Sequence, residues 1–448
     1  MWSRRQFLGA LGASGAASAL SPLLGCGAQT ANKRSAATAG VRDDDLASAL
    51  AILDAKLENA TVWSQATHTD ALSIDHDEER FDRLHEHLVV LSALKDKVPT
   101  QLVLVGPTPE QIVLAATSLS EHAIVPAMTL APMAEDGWGT PWTRKHSDYR
   151  TPVRALFSIA QQHGGSRVVY RSAYLYSVHT EQRFLSRSKN LRSRSQRTRG
   201  GVVMGTWAHG EMALGHTQVS GLGGPALVSL SGDAIAQAAD QALAHLHARS
   251  APSGAQEVLL SPETAALLAY AALAKTATPL QGSYNVRIED DPTTGYGAMH
   301  HDALGEAAVA HTLVGEEATT ALLRLRRGNG GILRSEATNL RVDGDAEELA
   351  SLVARIETGV LLEGPELCRL DSRGERLAIV CSRAREILKG RFTGRLFSRT
   401  LATANVREFF SNTVALGTSR EAFAFDTDGI AGSAEAPHWL SRADVHKA

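Results

Sequence analysis

The sequence predicts an α+β protein: an N-terminal α/β domain followed by a C-terminal domain of mainly antiparallel β-strands. Three observations lead there. Helical apolar stripes alternate with short strand-like runs in the first half of the chain. Strand-like runs dominate the last third, where one clear helical pattern interrupts them. The 448 residues, 44% of them hydrophobic, suffice for two domains with cores of their own.

The same totals exclude several classes. The apolar content and a formal charge of −3 argue against intrinsic disorder. Lys+Arg 45 against Asp+Glu 48 leaves no broad basic surface of the kind a nucleic-acid binder carries. Three cysteines are too few for a disulfide scaffold. Beyond the first 25 residues no uncharged apolar run reaches membrane-spanning length.

Residues 1–25 read as an export signal. Arg4 and Arg5 form a charged head, a Gly/Ala-rich apolar run follows from Phe7 to Leu24, and Leu23-Leu24-Gly25-Cys26 ends it. Pro22 interrupts the run, which disfavours a transmembrane anchor. The arginine pair resembles the twin-arginine signal, and the tetrapeptide resembles a bacterial lipobox, whose cysteine is lipidated and becomes the first residue. The expectation is a lipoprotein on the periplasmic side, held to the membrane through Cys26; an uncleaved N-terminal anchor is the alternative. Residues 26–42 are small and polar and read as a flexible tether, with a reach of roughly 20–25 Å.

Residues 43–250 form the expected N-terminal domain. Asp43-Asp44-Asp45 opens a helix where its dipole favours acids, and Leu46, Leu50, Leu53 and Leu57 fall on one stripe. Gln101 to Gly106 reads as a short buried strand. Pro109 starts a helix that runs to Leu119. Ala131 to Trp142 is rich in Gly and Pro and reads as loop. Arg167 to Tyr176 and Gly201 to Trp207 read as strands, and Gly232-Asp233 opens a helix with the stripe Ile235, Ala238, Ala239, Ala242 and Leu246.

The turn Ala251 to Gly254 is the expected boundary, with residues 251–448 as the second domain. Glu257 to Leu260 is a short strand. Ser261-Pro262-Glu263 is a strong helix start, and the helix Pro262–Lys275 is apolar nearly all round, so it should be buried. Val286 to Asp290, Glu375 to Cys381 and Arg407 to Leu416 are strand-like. A helix is expected from Ala346 to Thr358, capped by Asp345 and stopped by Gly359.

Seventeen histidines call for a metal search. His300 and His301 are adjacent, so on a strand they point to opposite faces, and His311 adds no ligand spacing. His85/His87 and His245/His247 are i,i+2 pairs on expected helices, where they share no face. There is no HExxH, CxxC, GxSxG or glycine-rich phosphate loop. Cys368 and Cys381 flank the turn Asp371 to Gly374. Pairing outward sets Cys368 near Leu377 and Cys381 near Gly364, so two free, mostly buried thiols are expected. Arg183 to Arg199 carries seven basic residues and no acid. A solvated strand and loop is the expectation there, with an anionic lipid surface or an acidic peptide as functional readings.

From about Tyr174 to Ser419 the sequence resembles the TldD/PmbA family. The segments that carry this are Pro262 to Leu268 after the strand Val258-Leu259-Leu260, Ile288-Glu289-Asp290-Asp291-Pro292-Thr293, and His301 to Gly305. They continue, in the family's order, with Arg327 to Gly330, Ala337-Thr338-Asn339-Leu340, Gly344-Asp345, Glu347 to Leu349, Ile356 to Val360, and Ile387 to Gly394. The resemblance implies a peptidase family. Its TldD-type chains hold zinc through HExxxH on a helix plus a later cysteine, and its PmbA-type (TldE) chains lack those ligands and pair with TldD. Here Ala269, Tyr270, Ala271, Ala272, Leu273 and Ala274 stand where HExxxH would be, and Cys381 lies in a different context from the family's cysteine. Alanine and tyrosine replace the imidazole and the carboxylate that zinc hydrolysis requires.

The resemblance therefore implies a non-catalytic PmbA/TldE-like subunit that handles unfolded peptides. Its partner would be a TldD-like catalytic chain or a second copy of itself, and zinc would sit only in the catalytic partner. An active peptidase with an atypical site, and an exported binding lipoprotein that has lost activity, are the alternatives. No nucleic-acid partner is expected.

Overall fold

Two large β-sheets, each with helices packed on it, make up the computed structural model. It describes residues 41–76, 78–121, 134–138, 146–208, 210–273, 280–281, 285–302, 305–316, 318, 323–325, 333–335, 337–344, 346–371, 373–427 and 430–448. Arg4, Arg5, Cys26 and Ala274 lie outside these residues, as does almost all of the expected tether.

The first sheet is built from β1 (Glu58–Asp75), β2 (Glu79–Lys95), β3 (Val98–Val105), β4 (Ala134–Trp138), β5 (Tyr170–Ser186), β6 (Asn190–Ala208) and β7 (Glu211–Leu222). Its order is β3-β2-β1-β5-β6-β4, with β7 also beside β6, and all pairs are antiparallel except β4–β6. Helices α1 (Asp43–Asp54), α2 (Pro109–Ser120), α3 (His146–Gln161) and α4 (Gly232–Ala244) cover it.

One face of this sheet carries two apolar clusters. At one end Leu46, Leu50 and Leu53 of α1, with Ile112 and Ala116 of α2, close over Val62, Val89, Leu91 and Leu185. At the other, Tyr149, Val153 and Leu156 of α3, with Ile235 of α4, close over Leu72, Leu175, Val202 and Met204. Side chains alternate between faces along a strand, so the even residues of β1 between Val62 and Leu72 share this face. These are Ser64, Ala66, His68 and Asp70. The middle of the face is thus a mostly polar band between two oily ends.

The second sheet comprises β8 (Gly254–Leu260), β9 (Leu280–Gln281), β10 (Arg287–Asp290), β11 (His311–Gly315), β14 (Asn339–Asp343), β15 (Ala346–Glu347), β16 (Thr358–Leu370), β17 (Arg376–Leu388), β18 (Arg391–Asn405), β19 (Ala415–Thr427) and β20 (Ile430–Lys447); β12 (Leu323–Leu325) and β13 (Leu333–Ser335) pair separately. Its order runs β18-β17-β16-β8-β20-β14-β10-β11-β9, and β18 also pairs with β20. That extra pairing closes β18-β17-β16-β8-β20 into a five-stranded barrel, which removes two open edges.

Helices α5 (Pro262–Leu273), α6 (Leu349–Ala354) and α7 (Val406–Ser411) pack on this sheet. Alternation along β8 divides the labour: Val258 and Leu260 join the core that holds α5, while Leu259 turns the other way and meets Leu352, Val353 and Ile356 around α6.

Several expectations change. The Gln101–Gly106 strand exists but is an edge, not a buried strand; Val105 is 74% exposed because β3 has a neighbour on one side only. The expected loop at 131–142 contains β4, whose backbone pairs in parallel with Leu191–Ser195 despite its glycine; its remaining residues lie outside those described. The helix expected over 346–358 shrinks to α6. Ala346 and Glu347 pair with Leu416 and Gly417, and Thr358 and Gly359 already belong to β16, so strand pairing overrides the helical stripe at both ends. Asp345 is outside the described residues; Glu348 precedes the helix.

Of the expected strand Arg407–Leu416, only Ala415 and Leu416 are strand, at the start of β19. Asn405 accepts hydrogen bonds from the Arg407 and Glu408 amides, which starts α7, and the helix buries Phe409 and Phe410 against Trp439. His85 and His87 lie on strand β2, not on a helix, so they do share a face. His245 and His247 sit in a 3-10 turn after α4.

Candidate functional site

Ser261 follows β8 and caps α5: its Oγ accepts from the Thr264 amide at 3.3 Å. The helix then runs into the core, as its all-round apolar sequence requires. Ala269 is wholly buried and Tyr270 is 6% exposed. The Tyr270 ring stacks on Phe425, centroids 4.8 Å apart. A Cβ placed on Gly432 would come within 2.6 Å of that ring, so the β20 backbone abuts it directly. Leu268, Leu340 and Ala434 belong to the same cluster. Hydrocarbon, a phenol ring and backbone thus surround Ala269 and Tyr270, which stand where the first two residues of HExxxH would be. Among the described residues no three His, Cys, Asp or Glu side chains group to hold a metal ion. The residues present do not fit zinc at this helix.

Cys368 and Cys381 are free thiols. Cys368 faces Ile379, and Cys381 faces Pro365. The turn itself offsets the register, pairing Leu370 with Leu377 and so moving Cys368 from its expected partner, and a bulge between Pro365 and Leu367 then sets Cys381 opposite Pro365. Burial pushes both thiols up, well above the usual range for Cys381. Neither is poised as a thiolate.

At the other end of α5, where its first turn meets the first sheet, a cavity of about 800 Å³ opens. His216 of β7 and Glu263 of α5 meet across it, Nε2 to Oε1 at 2.6 Å. The Glu263 carboxylate raises the His216 imidazole above its ordinary value despite burial. Glu363 of β16, also in the lining, accepts from Arg385 Nη2 at 2.8 Å and pairs with Arg383 Nε at 3.2 Å. Glu421 lines the cavity as an exposed side chain, and partial burial together with Glu263 pushes its carboxyl up. Burial lowers the His438 imidazole. Four acids, Asp240, Glu263, Glu363 and Glu421, face two arginines here, so the lining favours cationic or hydrogen-bonding groups. Sequence reasoning missed this cavity. His216, Glu263 and Glu363 are far apart in the chain, and nothing in their local spacing announces that they meet.

The expected solvated basic stretch is largely absorbed by the fold. Arg192 and Arg194 pair with Glu181 at 2.6 and 3.1 Å. Arg183 is buried and lies 3.5 Å from Asp43. Arg197 and Arg199 are buried as well, and Arg197 donates to the Ala298 carbonyl. The long central strands β5 and β6 carry these arginines inward. His300 and His301 do not converge with His311: His301 bridges Ala307, while His311 faces Asp290 on β10.

Two separated sequence segments of the resemblance meet in a latch. The Asp290 carboxylate is fully buried and its Oδ1 accepts from the Thr338 amide, the Thr338 hydroxyl and the Asn339 amide, at 2.8, 2.6 and 2.8 Å. Asn339 in turn donates to the Asp291 and Thr294 carbonyls and accepts from the Gly297 amide. Together these bonds lock a turn onto β14.

No family model matches the chain, and no curated protein matches it. Solved structures do. One is described as a candidate modulator of DNA gyrase from Bacteroides thetaiotaomicron, with TM-score 0.64 and 14% identity over 91% of this chain and 100% of that one. This is the TldD/PmbA fold. A second candidate gyrase modulator, from Thermotoga maritima, gives TM-score 0.64 and 14% identity over 86% of this chain and 96% of its own. TldE from Thermococcus kodakarensis gives TM-score 0.64 and 10% identity over 89% of this chain and 98% of its own. The TldD/PmbA fold spans both sheets, including the N-terminal part that shows no resemblance in sequence.

Proposed function

We propose that the chain is a PmbA/TldE-like, non-catalytic member of the peptidase family, acting on unfolded peptides alongside a TldD-like catalytic chain. One observation carries this reading: Ala269 and Tyr270 fill the ligand positions of α5 with packed apolar bulk, closed off by Phe425 and Gly432. The acid-rich cavity at the start of α5 supports a peptide-holding role, since it offers pairing for amines and backbone amides. The twin-arginine pattern and Cys26 support an exported, lipid-anchored protein.

The test is to express the chain from Thr30 onward, alone and mixed with a TldD-like chain of the same source. Bound zinc and cleavage of an unfolded peptide are measured in each. Activity in the mixture, exceeding that of the TldD-like chain alone, is the expected result. Zinc and turnover by the lone chain would instead make it an active peptidase. Inertness in both would leave an exported binding protein or a homodimer without catalysis. Mass spectrometry of the mature full-length protein is expected to find a lipidated Cys26 at its start, and Cys26→Ser is expected to release the protein from the membrane fraction.

A further inference from the structure

The polar band across the first sheet contains an arrangement that this reading does not use. His85, His68 and His179 stand directly opposite one another on β2, β1 and β5, in register across three adjacent strands. Cross-strand neighbours on one face bring side chains within about 5 Å. His68 and His85 have their rings stacked, centroids 4.1 Å apart, with the two Nδ1 atoms at 2.9 Å. The His179 ring lies on the other side of His68, centroids 6.2 Å apart. Three imidazoles thus form a row between the two helix-covered ends of the sheet.

The groups around the row are otherwise engaged. His87, two residues along β2 on the same face, is held by the Ser64 hydroxyl at 2.7 Å. Asp70 pairs with Arg83 at 3.1 Å, and Glu181 pairs with Arg192 and Arg194. The carboxylates on either side are thus committed to arginines. His85 is exposed, and β3 pairs with β2 only from Leu88 onward, so the row ends at an open edge.

We propose that this row is a binding site for a divalent transition metal ion, with His68 and His85 as its two core ligands and His179 as the third. Imidazole is a preferred donor for such ions. Metal–nitrogen bonds are about 2.0–2.1 Å long, and two of them at a right angle place their nitrogens about 2.9 Å apart. The Nδ1–Nδ1 separation here is 2.9 Å. It therefore matches two adjacent positions of a tetragonal site, the geometry of copper(II) and nickel(II). On binding, the imidazole that donates the present hydrogen bond carries its hydrogen on Nε2 and presents Nδ1 to the metal. Three donors do not converge before binding, so His179 joins by rotation about its side-chain bonds and water completes the sphere.

Copper(II) is the probe. The chain from Thr30 onward is titrated with it against a competing chelator, with electron paramagnetic resonance to count coordinated nitrogens. One tight equivalent with nitrogen splitting is expected. His68→Asn and His85→Asn are each expected to weaken it by more than about tenfold and to reduce the nitrogen count. His179→Asn is expected to weaken it less, and the exposed His247→Asn to leave it unchanged. His85→Asn lies at an open edge and should keep the thermal unfolding of the apo protein, so loss of copper there is not loss of fold. Absence of a tight equivalent, or full retention in His68→Asn or His85→Asn, would overturn the site; full retention in His179→Asn would remove the third ligand. None of these outcomes depends on peptidase activity.

Discussion

Tyr270 shows how one residue separates a structural helix from a catalytic one. Its ring is stacked on Phe425 and pressed by the Gly432 backbone, so its role is volume. Tyr270→Ala is expected to cost about 3–5 kcal/mol, as other large-to-small core changes do, measured by denaturant unfolding. Ala269→His combined with Tyr270→Glu is expected to lose stability and bind no zinc, because it buries a carboxylate without supplying the remaining donors.

Titration at single residues gives opposite signs. His216 has a raised value in the folded state, so its contribution to stability is fully present below about pH 6.5 and fades as pH rises through the raised value. His87 and His438 are depressed by burial, so each weakens the fold as pH falls below about 6.5, where the unfolded chain takes up protons first. His216→Gln is expected to reduce stability more at pH 6 than at pH 9. His87→Gln is expected to flatten the acid limb of the melting curve. An unchanged pH profile in His216→Gln would show that the pair with Glu263 does not form.

At the scale of elements, side chains that serve backbone groups decide where helices and turns stop. Arg171 on β5 is buried and donates to four carbonyls, those of Ala160, His163, Gly165 and Val168, around the end of α3. Arg171→Ala strands those acceptors and is expected to cost on the order of 3 kcal/mol or more, with amide exchange rising first in the last turn of α3. Asp290 plays the matching part for the Thr338 turn. Asp290→Asn keeps the shape but replaces charge-assisted acceptance with a neutral amide, and an unfolding midpoint below wild type is the expected readout. The Asn405 cap is a smaller device: Asn405→Ala should cost about 1 kcal/mol, seen in the same unfolding measurement.

For the whole molecule, the C-terminal strand is the organiser. β20 pairs with β8, β14, β18 and β19, and its contact with β18 closes the barrel. Removing residues 438–448 takes away the buried Trp439 and Leu440 together with that closure. Such a chain is expected to lose the cooperative unfolding of the second sheet, followed by near-ultraviolet circular dichroism.

Local order was legible wherever a signal is local. The Leu46–Leu50–Leu53 stripe, the Ser261-Pro262 helix start and the inert content of α5 are written in neighbouring residues, because helix periodicity and caps act over a turn or two. The α+β class followed from the same patterns. What only the tertiary structure decided are properties of partners distant in sequence. Arg407–Phe410 became helix through a cap and through Trp439, far along the chain. The arginines of β5 and β6 turned inward because those strands lie at the centre of a sheet. His216 with Glu263, and His68 between His85 and His179, were brought together by register alone. Strand pairing joins residues at any separation along the chain, so its consequences are fixed by topology and cannot be read from spacing.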